Sequence, residues 1–138
     1  MEKLSIFDII GPNMIGPSSS HTAGALKIAR LAKEQVRGRI IDATFRLYGS
    51  FAATYNGHGT DRALISGLLG FETTDYRIRD AFDEADSAGL VYKFLPDFAT
   101  KPPHPNTVDI HMTTDAGENR IIRGISKGGG AAAIEILE

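Results

Sequence analysis

Thr107-Val108-Asp109-Ile110-His111-Met112-Thr113-Thr114, then Asp115-Ala116-Gly117-Glu118, then Asn119-Arg120-Ile121-Ile122-Arg123-Gly124-Ile125-Ser126: two runs rich in β-branched residues flank a polar turn that contains glycine. The first run alternates apolar and polar side chains, the period of a strand with one buried face. With a short turn between them the two runs predict an antiparallel hairpin. Downstream, Lys127–Gly130 is a glycine break, and Ala131–Glu138 (AAAIEILE) reads as a last strand. Upstream, residues 97–106 hold Pro102, Pro103 and Pro105, which an interior strand cannot accommodate. Leu90–Leu95 before them is a further strand.

The first half of the chain is more helical. From Thr22 to about Arg37, Leu26, Ala29, Ala32 and Val36 recur at helical spacing against a polar face of Lys27, Arg30, Glu34 and Arg37. Gly38 is the expected stop. Ile40–Tyr48 is β-branched and aromatic and predicts a strand, ended or bulged by Gly49-Ser50. A short helix is expected after Asn56–Asp61 with Thr60 as its N-cap, and an acidic one over Ile78–Ala88, closed by Gly89. Helices early and strands late predict an α+β fold, an antiparallel sheet with helices packed mainly on one face.

The chain has 138 residues, enough for one modest core, and a formal net charge of -2 with acids and bases intermixed. That balance argues against a nucleic-acid footprint or a polybasic membrane patch. No apolar run approaches the ~20 residues of a membrane span, and no signal peptide is legible in Met1-Glu2-Lys3-Leu4, so a cytoplasmic location is expected. There is no cysteine, which removes disulfides, thiol catalysis and iron–sulfur ligation by this chain.

Two loops carry the chemistry. Ile15–Gly24 (IGPSSSHTAG) sets Ser18, Ser19, Ser20, His21 and Thr22 at the start of the first helix. A helix N-terminus offers unpaired N–H groups and partial positive charge to a carboxylate or phosphate. Five hydrogen-bonding side chains exceed what a cap needs, although a cap with surplus serines is the plainer reading. The second loop, Gly57-His58-Gly59-Thr60-Asp61, places a histidine between two glycines, which permit close backbone approach to a ligand. A neutral imidazole is a suitable base near pH 7, and the plainer reading is a surface-turn histidine. His104, in a proline-rich loop, is either exposed or functional; His111, alternating in a strand, is structural. The histidine spacing and missing cysteines disfavour zinc, no G-x-S-x-G elbow is present, and Gly128–Gly130 lacks the lysine and hydroxyl residue of a P-loop.

Taken together, IGPSSSHTAG, Tyr48-Gly49-Ser50, Gly57–Ala63 (GHGTDRA), His104-Pro105-Asn106 and the Ser126–Gly130 glycine turn resemble the β domain of iron–sulfur L-serine dehydratase over essentially the whole chain. The resemblance implies elimination of water from L-serine to aminoacrylate, then pyruvate and ammonia, without pyridoxal phosphate. It implies a four-iron, four-sulfur cluster held by a separate α chain and acting as Lewis acid on the hydroxyl, with no metal ligand on this chain. By motif match, His58 is the candidate base. Ser18, Ser19, Ser20, His21 and Thr22 approach the substrate or cluster. Thr60 and Asp61 cap the second helix and orient His58, and His104 and Asn106 border the same cleft. The partners implied are the α chain and L-serine, with a homo-oligomer left open. The span 1–138 is expected to be one β domain without the small ACT domain that follows it in other separate β chains. The fold is also similar to the allosteric substrate-binding domain of phosphoglycerate dehydrogenases, which supports an alternative: a non-catalytic module binding an anionic effector.

Overall fold

The structure, a computed structural model, describes residues 19–57, 59–128 and 131–138, with the helical backbone alone at 19–21. The short apolar run Ser5–Ile10 (SIFDII), which reads from the sequence as a docking strand or single turn stopped by Gly11-Pro12, lies outside these residues, as do Gly129 and Gly130.

The hairpin forms as its alternation predicts. Strand β3 (Thr107–Thr114) pairs antiparallel with β4 (Asn119–Gly128), Ile110 opposite Ile122 and Thr113 opposite Asn119. Gly117 turns the chain with φ 86, a conformation that costs other residues strain, and its N–H donates to the Thr114 carbonyl at 3.0 Å. Strand β1 (Ile40–Tyr48) spans the expected residues and lies antiparallel on the other side of β3. Strand β5 (Ala131–Ile136) pairs antiparallel with β4 across a register shift between Ser126 and Gly128.

The fifth strand changes the sheet's type. Strand β2 (Val91–Asp97) joins the free edge of β1 in parallel, Asp42 opposite Val91 through Tyr48 opposite Asp97. The order is β2-β1-β3-β4-β5. The α+β class holds, but the sheet is mixed where an antiparallel one was expected. The chain leaves β1 through a long helical crossover and therefore returns in the same direction. Pro96 sits within β2, which tolerates it as an edge strand.

Four α-helices are found among the described residues. Helix α1 (Ser19–Lys33) begins three residues ahead of the expected start and ends short of Arg37, because the chain turns through 34–38 and Gly38, at φ 82, redirects it into β1. Helix α2 (Gly49–Thr54) was not expected; it starts where the Ser50 N–H donates to the Pro105 carbonyl at 2.8 Å. Helix α3 (Thr60–Leu68) follows the histidine loop. The expected acidic helix is divided into a 3-10 turn (Tyr76–Asp80), capped by Asp75, and α4 (Ala81–Ala88), closed by Gly89 at φ 77.

One core lies between the helices and one face of the sheet. Ala25, Leu26, Ile28 and Ala29 of α1 and Leu64 and Ile65 of α3 bury against Phe45, Leu47, Val108, Ile110, Met112 and Ile122. A fully buried Leu, Ile or Phe of this kind contributes roughly 1.5–3 kcal/mol. Glycines set the closest approaches. A side-chain carbon on Gly67 would fall 2.5 Å from both the Leu26 carbonyl and the Ala29 methyl, so α3 presses directly on α1. Gly124 makes room for Ile28, and Gly24 makes room for Ser126.

Candidate active site at two helix N-termini

The packing of α1 on α3 brings the beginnings of the two helices together. Thr22, buried in the first turn of α1, lies against Gly59, which immediately precedes α3. Ser18 lies outside the described residues. Ser19, Ser20 and His21 form the opening turn of α1 by their backbone, and their side chains lie outside the description. His58 also lies outside the described residues, although both neighbours are fixed: Gly57 has φ 85 and Gly59 φ 90. Two left-handed residues on either side of one histidine require glycine at each place.

Thr60 is not the N-cap that its sequence position suggested. Gly59 holds that position in the left-handed conformation and makes no side-chain cap bond. Thr60 is instead the first helical residue, fully buried, its Oγ1 without a hydrogen-bond partner among the described residues. Asp61 supplies the first-turn acid. Its Oδ1 accepts from the Arg62 N–H at 2.7 Å, and the Gly57 N–H also points to the carboxylate. Only 6% of Asp61 is exposed, and this burial pushes its carboxyl above the usual aspartate range against the backbone donors and Arg62 that lower it. The carboxylate thus ties the loop ahead of the histidine to the start of α3.

The proline loop joins from the other side. The Asn106 N–H donates to His104 Nδ1 at 3.1 Å, and the Thr107 hydroxyl donates to the His104 carbonyl. Because Nδ1 accepts, the neutral ring carries its proton on Nε2. The Asn106 carbonyl accepts from the Ser126 N–H at 3.0 Å, and Ser126 in turn lies under Gly24. Contacts therefore run from Gly59 to Thr22, two residues along α1 to Gly24, and on through Ser126 and Asn106 to His104. Ser126 was not a candidate from its sequence. Its signals were its place at the head of the Ser126–Gly130 turn and on the inward-facing side of β4, in phase with Ile122 and Gly124, where a hydroxyl is out of character.

Three buried side-chain oxygens along this path have no hydrogen-bond partner among the described residues: Thr60 Oγ1, Asn106 Oδ1 and Ser126 Oγ. Each such group costs on the order of 1–3 kcal/mol, and a protein rarely keeps several together without a bound water or ligand to satisfy them. A cavity of about 250 Å³ between Arg30, Lys33, Glu34 and Gly70 lies at the opposite ends of α1 and α3, away from these oxygens. There Arg30 is already engaged by the Gly70 and Phe71 carbonyls and by Glu72.

Cysteine is absent from the sequence, and no group of three His, Asp or Glu among the described residues is placed to hold an ion. Among the described residues no helix is long and apolar enough to cross a membrane.

Fold and site together define an α+β domain in which the beginnings of α1 and α3 meet at Thr22 and Gly59. Residues 5–89 match the family model described as serine dehydratase beta chain. Over 134 residues, 97% of the chain, it is 48% identical to the L-serine dehydratase beta chain of Peptoniphilus asaccharolyticus, of which it covers 60%. Over its full length it is 49% identical to the probable L-serine dehydratase beta chain of Bacillus subtilis strain 168, of which it covers 61%. Half of it is 40% identical, over 74 residues, to L-serine dehydratase 1 of Escherichia coli K12, where it covers 16%. The chain belongs to the serine dehydratase beta chain family and spans about three fifths of the length of these separate beta chains.

Proposed function

We propose that this chain is the β component of an L-serine dehydratase: a cytoplasmic lyase subunit that completes, with an α chain, the site where L-serine loses water. The observation that carries the reading is the contact of Thr22 with Gly59, which joins the serine-rich loop and the GHGTD loop into one feature. Full-length similarity to two named L-serine dehydratase beta chains supports it.

In this reading the α1 N-terminus, with Ser18, Ser19, Ser20, His21 and Thr22, receives the substrate carboxylate, helped by the hydroxyl of Thr60. His58 takes the α-proton. As the Cα–H bond breaks, its electron pair forms the Cα–Cβ double bond and the Cβ–O bond breaks. The departing hydroxide takes the proton now held by His58 and leaves as water, which resets the base and gives aminoacrylate. This tautomerises and takes up water to yield pyruvate and ammonia. Asp61 positions His58 through the Gly57 backbone. His104 offers its Nε2–H, and Asn106 its side-chain amide, at the border of the site. The four-iron, four-sulfur cluster belongs to the α chain in this proposal, since this chain lacks the ligands for it, and no step is assigned to it.

The test is anaerobic turnover of serine to pyruvate by this chain alone, the α chain alone and the mixture. Activity in the mixture alone is expected, and His58→Ala in the mixture should lower kcat by about 10²–10⁴-fold, the range of a lost general base. Near-normal turnover by that variant overturns the base assignment. If the α chain alone is as fast as the mixture, this chain is instead a regulatory module that binds an anionic effector.

A further inference from the structure

Among the described residues the helices cover one face of the sheet and none lies on the other, and that open face is not simply polar. By register Val91, Leu95, Ile121, Ile125 and Leu137 share it, the first two and the last exposed and the isoleucines half-buried. A solvated sheet face ordinarily turns polar side chains outward.

One straight row of charges crosses this face. Arg46 lies opposite Asp109, Asp109 opposite Arg123, and Arg123 opposite Glu135, so the signs alternate over four adjacent strands. The middle pair is already neutral within the chain: Arg123 Nε and Nη2 donate to the two Asp109 oxygens at 2.8 and 2.9 Å, and Tyr48 donates to Asp109 at 2.8 Å. Covering that pair leaves no lone charge out of water, the condition that ordinarily forbids burial of a charged face.

An alternating row of four has a symmetry property: reversed, it meets itself with every charge opposite its counterpart. Two such sheets laid face to face are related in this way by a two-fold axis parallel to the strands and midway between β3 and β4. Arg46 then lies over Glu135 of the second copy and Asp109 over Arg123 of the second copy. One level along, where the register sets Thr44, His111, Ile121 and Leu137, the same operation brings His111 over Ile121 and Thr44 over Leu137, and no like charges meet. The other in-plane axis, along the row, would stack Arg46 on Arg46. Closed two-fold pairing of identical patches is the commonest form of self-association.

We propose that this chain pairs with a second copy through its helix-free sheet face, in the one two-fold arrangement that sets Arg46 against Glu135 of the other copy. The proposal is independent of the dehydratase reading, since it involves none of the residues placed in that site.

The test measures mass by sedimentation equilibrium on the full chain and on two charge reversals, Arg46→Glu and Glu135→Arg, with circular dichroism to confirm that each folds. The wild type should be a dimer, and each reversal, placing like charges together at two symmetric contacts, should weaken dimerisation by about tenfold or more at low salt. The decisive sample is the equimolar mixture of the two variants. In the mixed dimer the glutamate introduced by Arg46→Glu meets the arginine introduced by Glu135→Arg. At the other contact the unaltered Arg46 meets the unaltered Glu135, so dimer mass should return. Repulsion that a reversal creates inside its own chain, such as Glu135→Arg beside Arg123, is the same alone and in the mixture, so recovery reports the interface only. A monomeric wild type, folded single variants that remain fully dimeric, or a mixture no more dimeric than its components would each overturn the proposal.

Discussion

A methyl group placed on Gly59 would lie 3.3 Å from Thr22 Oγ1 and 3.6 Å from the Thr22 methyl, so the loop ahead of α3 rests on the first turn of α1 with no side chain between them.

Gly59→Ala tests it. With φ at +90 the new side chain is strained wherever it points, and here it also meets Thr22. The expected loss is about 1–2 kcal/mol of stability in a urea titration, with a fall in serine turnover of the reconstituted enzyme. Gly70→Ala is the control: its φ is +88 and the nearest atom is the end of the Lys33 side chain at 3.4 Å, at the far end of the helices. It should lose comparable stability and keep its turnover.

Gly24→Ala should lower stability by about 1–3 kcal/mol, because the added carbon overlaps the side chain of Ser126 and forces α1 away from β4. Both Oγ and Cβ of Ser126 are in the way, so Ser126→Gly, and not Ser126→Ala, should recover part of the loss in the double variant. Thermal melts of the four proteins give the coupling directly.

Asp61→Asn separates positioning from stability. Burial raises the Asp61 carboxyl above its ordinary range, so the folded state binds its proton more tightly than the unfolded chain does. The stability contributed by this group is therefore complete below the ordinary aspartate range and is lost as pH rises through the raised folded value. The asparagine variant carries no such charge. It should match the wild type at low pH and be the more stable of the two at pH 7, while serine turnover falls because the hold on Gly57 is weakened. Equal stability of the two proteins at both pH values would remove the burial argument.

Arg123→Met leaves Asp109, 8% exposed, with Tyr48 as its remaining side-chain donor. The pair is partly open to water, so the expected loss is about 1–3 kcal/mol, below that of a fully enclosed one. Arg123→Met with Asp109→Leu should regain most of it. Denaturant midpoints at constant slope decide the matter.

The parts of the fold legible in the sequence were those whose signal is local. The alternation from Thr107 to Thr114 and the glycine turn at 115–118 specified the hairpin, and Ile40–Tyr48 specified β1 to the residue. Choices made by distant partners were hidden. Nothing near Val91 says that β2 will run parallel to β1, and α2 begins only because Pro105, over fifty residues on, accepts the Ser50 N–H. The candidate site divides in the same way. The serine-rich and GHGTD loops stand out by composition, and the structure joins them through Thr22 and Gly59. Ser126 did not stand out, because a serine in a strand is ordinary until its hydroxyl is found buried without a partner. Thr60 was misplaced as a cap for a related reason: a threonine before a helical run is a good cap by type, and only the φ of 90 at Gly59 moves the cap one residue earlier.

The bare contact of Gly67 with Leu26 and Ala29 acts as the fulcrum of a lever. It lies seven residues along α3 from Thr60, about 10 Å at 1.5 Å per residue, while the two helix beginnings are the lever's free ends. Swelling the fulcrum by a single carbon would pry the helices apart at Gly67 and open the gap between Thr22 and Gly59 at the candidate site. Alterations that silence this domain should therefore include some at a position that touches no ligand, and a screen confined to the loops would overlook them.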